Sequence, residues 1–235
     1  MAPISRPLSL VTLVVVVATG PARAAAQDDD GPRDRVATTQ IVSTAVGASL
    51  ALVGPIFDIN TGPPSCAPCD PDDLPGIDRW VVRTEQPGWN VASTVLELGL
   101  LGATWYEMSG QADGRGRVAA SLEAVAWTIG LNELSNAIID RERPVLYTEE
   151  AAEAMTEVDS HRSMPSGHTS ISFAAATSYV LSMSHKRGLS RFWPLAAAAG
   201  VGVMRMAAAR HFTTDVLAGA ALGSGTAIVI HAIRF

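Results

Sequence analysis

After a short apolar run near the N-terminus, apolar residues fall in six blocks separated by polar or Pro- and Gly-rich stretches. Residues 36–57 hold Ile41, Val42, Val46, Leu50, Leu52 and Val53 and pass about twenty positions without a charge, which predicts a first helix long enough to cross a bilayer. Residues 91–108 and 118–139 predict a second and a third helix. A fourth runs through 171–183, a fifth from Phe192 to about Arg210, and a sixth over 214–233. In the sixth, Gly219, Gly223 and Gly225 suit close helix contact. No strand alternation persists and no internal repeat stands out, so the expected fold is all-α, six helices around one core. Residues 58–90, rich in Pro, Gly and Asp, predict an external loop with a short amphipathic piece near Trp80.

The N-terminal run carries Arg6, apolar residues over 8–18, a Gly20-Pro21 break and small residues at Ala22 and Ala24. That is the layout of a secretory signal peptide over residues 1–26. Residues 27–35, with Asp28, Asp29, Asp30 and Asp34, read as a polar linker ahead of one helical domain, 36–235. Beyond an export signal, Cys66 and Cys69 predict a disulfide bracing the Pro-rich loop. No second cysteine pair exists to complete a zinc site.

Composition leaves the medium open. With 48% hydrophobic and 17% charged residues and a mean hydropathy of +0.22, the chain lies between a soluble helical enzyme and a membrane protein built from small residues. A net charge of -6 argues against a nucleic-acid binder. Glu97 and Glu107 in the second helix and Glu123 and Glu133 in the third are costly in lipid. They either face the bundle interior or indicate a bundle in water. Glu133 shares a helix face with Asn136.

Chemistry concentrates in three places. In Ser163-Met164-Pro165-Ser166-Gly167-His168-Thr169-Ser170, proline bars helical geometry before it and glycine lets a backbone approach a ligand. A helix then begins, and its free N–H groups favour an anion such as phosphate. His168, in the first turn, is placed to exchange a proton with it. Arg143, beside Pro144, and Arg205, amid Met204 and Met206, supply planar donor forks that match phosphate oxygens. Asp215, four residues past His211, is spaced to orient that imidazole and leave its other nitrogen free. Singly these residues have plainer explanations: an interfacial arginine, a satisfied histidine, a cap on the sixth helix. The sequence offers no metal-ligand cluster.

Together the three segments resemble the type 2 phosphatidic acid phosphatase family, which shares its fold and site with class A acid phosphatases and vanadium haloperoxidases. The family pattern is Lys, six residues, Arg-Pro; then Pro-Ser-Gly-His; then Ser-Arg, five residues, His, three residues, Asp. The second motif is complete here, and the third matches at Arg205, His211 and Asp215 with Met204 in place of serine. The first keeps Arg143 and Pro144 but has Asn136 where the family has lysine. The resemblance covers about 118–235 and implies a six-helix bundle, embedded in a membrane, that needs no cofactor. It also implies that His211 attacks phosphorus while Asp215 orients it, and that His168 protonates the leaving oxygen. Arg143, Arg205, Ser166, Gly167 and Asn136 would bind the phosphoryl group. The implied substrates are phosphatidic acid, phosphatidylglycerol phosphate or a polyprenyl diphosphate, at the outer face of a bacterial inner membrane. The alternatives are a soluble periplasmic acid phosphatase and a catalytically weak phosphate binder, since trading lysine for a neutral amide costs on the order of 2 to 3 kcal/mol. The basic residues Arg115, Arg117, Lys186, Arg187, Arg191 and Arg234 fall on the turns opposite the motifs, which places the motifs outside. Six spans after a cleaved signal would place them inside, so the first helix does not span, the signal is not cleaved, or the bundle is soluble.

Overall fold

The computed structural model describes residues 38–53, 63–186 and 188–235. The predicted signal peptide, the polar linker, the outer ends of the first predicted helix and Arg187 lie outside them. Six long helices carry the fold: α1 Thr38–Leu50, α2 Pro87–Ser109, α3 Gly114–Ile139, α4 Gly167–Ser182, α5 Trp193–Ala207 and α6 Thr213–Arg234. No strand occurs among the described residues.

The helix ends differ from the apolar blocks for local reasons. α2 starts four residues before its block because Pro87, which needs no N–H partner, opens the first turn. α3 and α4 likewise begin with polar or small turns ahead of their apolar runs. α5 stops at Ala207, short of Arg210. Ala209 takes a left-handed conformation (φ 57°), and the N–H groups of Ala209 and Arg210 return to the carbonyls of Met206 (3.0 Å) and Arg205 (3.1 Å). That is a Schellman stop with alanine in the usual glycine place. Of the first predicted helix, α1 is followed by a turn at Ala51 and Leu52, and Val53 is again helical.

The core is made of small residues. Ala174, Ala175 and Ala176 on α4 are fully buried, as are Ala124 on α3 and Ala198 on α5. α4 packs against α2, α3, α5 and α6. A side chain at Gly223 of α6 would strike the Ser170 carbonyl, and one at Gly219 would sit 2.7 Å from the Ser166 carbonyl. These two glycines let α6 lie directly on α4. Gly225 does not share that role, since it faces open space.

α2 buries the polar Ser93, Glu97 and Thr104 alongside Leu100 and Met108, and exposes Val91, Val95 and Leu98. Between the first and last turns of all six helices no exposed residue is charged. The four helix glutamates all have internal partners. Glu97 lies 3.6 Å from His168, Glu107 meets Lys186 at 2.5 Å, Glu123 meets Arg234 at 2.6 Å and Glu133 meets Arg162 at 2.9 Å. Glu97 and Glu123 are buried and so face the interior, whereas the Glu107 and Glu133 side chains stay 33% and 37% exposed beside their partners.

Between α1 and α2, Cys66 and Cys69 form a disulfide. The Cys69 N–H donates to the Leu146 carbonyl (2.8 Å), just past Arg143. A short helix, Gly76–Arg79, is the predicted piece near Trp80. Leu74 and Val81 on either side of it pack on Phe212, so this loop reaches the residue next to His211.

Candidate active site

The three motif segments meet because each lies at the same end of the bundle. α3 ends at Asp140, whose left-handed conformation (φ 51°) aspartate tolerates better than most residues and which turns the chain back. The next residues run beside the stretch before α4, with the Arg143 N–H on the Ser160 carbonyl (2.8 Å) and the Ser163 N–H on the Arg141 carbonyl (2.9 Å). The stop of α5 delivers Arg205, Arg210 and His211, and α6 starts immediately after. The result is a cavity of about 280 Å³ lined by Asn136, Arg143, Gly167, His168, Arg205 and His211, with Asn90, Thr94, Asn132, Glu133, Arg162, Pro165 and Arg210 completing its wall.

His211 is 3% exposed. Its Nδ1 lies 2.7 Å from the Ser163 carbonyl oxygen, which can only accept, so Nδ1 carries the hydrogen and Nε2 keeps its lone pair. Burial, then the positive charges of Arg205 and Arg143, hold its pKa well below the usual histidine value, against the opposing hydrogen bond to Ser163. The ring is therefore a neutral imidazole with one free nitrogen.

The spacing predicts that Asp215 orients His211. Its Oδ2 is 4.0 Å from Nδ1. That oxygen instead accepts from the Ser163 hydroxyl (2.6 Å) and the Phe212 N–H (2.8 Å). It holds the segment whose carbonyl holds the histidine. Asp215 Oδ1 takes Arg141 at 2.5 Å, and the other end of that guanidinium takes the buried Asp78 at 2.8 Å. Thr214 also donates to Asp78 through its N–H (3.0 Å) and hydroxyl (2.7 Å). Burial pushes the Asp78 carboxyl up, but the bonds from Thr214 and Arg141 outweigh it and hold its pKa low.

On the opposite wall, His168 Nε2 lies 3.1 Å from the Thr94 hydroxyl, which itself reaches the Asn90 carbonyl (3.2 Å), and 3.6 Å from the Glu97 carboxylate. Because the Thr94 hydroxyl donates to Asn90, it is left to accept from Nε2, which favours a hydrogen there. Arg205 donates to Asn90 Oδ1, and its Nε is buried without a hydrogen-bond partner among the described residues. At the rim, Arg162 and Arg210 are paired with Glu133 (2.9 Å) and Glu85 (2.6 Å).

Of the eight residues singled out by sequence, six therefore line one cavity. Ser166 and Asp215 lie behind its wall, both fully buried. The Ser166 hydroxyl accepts from Thr169 (2.9 Å) and its N–H donates to the Asp215 carbonyl (3.0 Å). Asn136 reaches the wall, but its Nδ2 is turned toward the Pro165 carbonyl at 3.5 Å. Sequence reasoning missed Asp78, Arg141, Arg162 and Arg210, and the Asn90, Thr94, Glu97 stripe. The stripe carries a readable signal, since polar residues at i, i+4 and i+7 recur on one face of an apolar helix.

The model of the family described as PAP2 superfamily matches residues 117–235, just over half the chain. The chain belongs to the PAP2 superfamily. PAP2 membership supports a phosphatase-type activity on a phosphate ester. No curated protein and no solved structure matches the chain.

Proposed function

We propose that this PAP2 protein hydrolyses lipid phosphate esters at the outer face of a membrane, through a phosphohistidine on His211. The observation that carries the reading is a neutral, buried imidazole, its Nδ1 tied to Ser163, on a residue that lines the same cavity as His168, Arg143 and Arg205. In the first step Nε2 of His211 bonds to phosphorus, the phosphorus–oxygen ester bond breaks, and His168 gives its proton to the leaving oxygen. Water then attacks phosphorus and gives a proton to His168. The phosphorus–nitrogen bond breaks and inorganic phosphate leaves. The guanidiniums of Arg143 and Arg205 and the first N–H groups of α4 meet the phosphoryl oxygens as their charge redistributes. Enough cationic donors converge for this chemistry to proceed without a metal.

The membrane part of the proposal rests on the charge-free exterior of the helices and on exposed Ile41, Val46, Val95, Leu98, Leu217, Ile228 and Ile233. Among the described residues α6 alone is long and apolar enough to cross a bilayer by its own composition. The others present lipid-compatible faces while hiding their polar residues inside. The charged turns opposite the cavity are basic, with Arg115, Arg117 and Lys186 at that end, which orients the cavity outward. Five crossings, α2 to α6, satisfy both this orientation and an export signal, with α1 packed beside α3.

The test is phosphate release from phosphatidic acid in detergent micelles with chelator present. Wild type should turn over, and His211→Ala should lose at least about a thousandfold. A variant that keeps its rate would remove the proposed nucleophile.

A further inference from the structure

Asp78 lies outside the residues the family model matches, yet it is fully buried at the back of the site. It belongs to a compact charge cluster. Arg141 spans two carboxylates, Asp215 at 2.5 Å and Asp78 at 2.8 Å, and its guanidinium stacks 4.5 Å from the centre of the Phe212 ring. Two carboxylates share one guanidinium, so the cluster keeps one net negative charge. The two carboxylates share that charge, and Asp215 lies 4.0 Å from His211 Nδ1, on the side of the ring away from the attacking nitrogen. With a single carboxylate, Arg141 would neutralise Asp215 and leave nothing behind the ring.

A negative charge there matters at one moment. When Nε2 bonds to phosphorus, the imidazole becomes positive and still holds its hydrogen at Nδ1. On the cavity side the positive Arg143 and Arg205 are matched by the phosphoryl oxygens. Behind the ring only this cluster faces it. We infer that Asp78 is a positioning residue for the phosphoryl transfer, sharing Arg141 with Asp215 so that the cluster keeps a net negative charge behind His211. The inference rests on the phosphatase reading above and extends the working site into the disulfide-braced loop.

The experiment measures kcat and KM for phosphatidic acid with full-length protein in detergent. Asp78 and Arg141 do not line the cavity, so Asp78→Asn should lower kcat about tenfold or more and leave KM within about threefold. Removing the positive charge as well restores the balance, and Asp78→Asn with Arg141→Gln should run at least about threefold faster than Asp78→Asn alone. A merely structural role predicts the reverse, because the double variant loses more contacts. A rise of KM in step with the loss of kcat, or a double variant no faster than the single one, overturns the inference. If Asp78→Asn fails to fold, Asp78→Glu decides, since it keeps the charge. It should stay within about threefold of wild-type kcat, and a tenfold loss overturns the inference. Wild type without turnover on any phosphate ester sinks the phosphatase reading itself, whereas an active wild type with an equally active Asp78→Asn sinks only the role of Asp78.

Discussion

At the scale of single residues, His211 meets two demands from opposite sides of its ring. The Ser163 carbonyl fixes the hydrogen on Nδ1, and burial beside Arg205 and Arg143 keeps the ring unprotonated. The pH consequence has a definite sign. A folded pKa lowered below 6.5 keeps the nucleophile neutral as pH falls through the ordinary histidine range, so the acid limb of kcat/KM should lie below pH 6.5. A limb at or above 6.5, measured on wild type with a soluble ester, would contradict the neutral imidazole. The same shift costs stability in acid. Below pH 6.5 the unfolded chain binds a proton the folded ring refuses, and stability falls until the folded pKa is passed. The identities of Arg143, His168, Arg205 and His211 were legible in the sequence because each sits in a motif of fixed spacing. The partner of His211 was not, because a backbone carbonyl leaves no mark on residue type and the carboxylate at the right spacing drew attention to itself. Asn136 shows the same limit: its type announced a lost cation, but only packing reveals its amide turned toward Pro165.

At the scale of elements, small residues decide how closely helices approach, and their effect depends on what they face. Gly223 and Gly225 are two residues apart and so on nearly opposite faces of α6. Gly223→Ala drives a methyl group into the Ser170 carbonyl of α4 and should cost about 1 to 3 kcal/mol. Gly225→Ala meets nothing and should gain up to about 1 kcal/mol of helix propensity. Thermal unfolding in detergent separates them, and equal shifts would refute the close α4–α6 seam. The six helices were legible from their apolar blocks, while their ends shifted wherever a turn was built from proline, polar residues or a left-handed alanine. The Gly76–Arg79 turn was anticipated only as a surface piece. Its Asp78 meets residues 63 and 136 positions away, and no local pattern reports such a contact.

At the scale of the whole molecule, charge is sorted by end and by depth. The arginine-lined cavity opens at one end, Arg115, Arg117 and Lys186 lie at the other, and between the first and last turns the described helices carry no exposed charged residue. Sequence left membrane and water undecided because four glutamates in apolar helices suit either. Packing buries Glu97 and Glu123, and pairs the partly exposed Glu107 and Glu133 with Lys186 and Arg162. The protein should therefore stay with membranes through an alkaline carbonate wash and require detergent for release. Recovery in a detergent-free soluble fraction would contradict the embedded bundle.

The central claim, a covalent phosphoryl group on His211, is tested most directly by quenching the enzyme during turnover of a phosphorus-labelled ester and locating the label. Alkali-stable, acid-labile label on the peptide containing His211 is predicted, absent from His211→Ala. Turnover with no such label, or with the label on another residue, would contradict it.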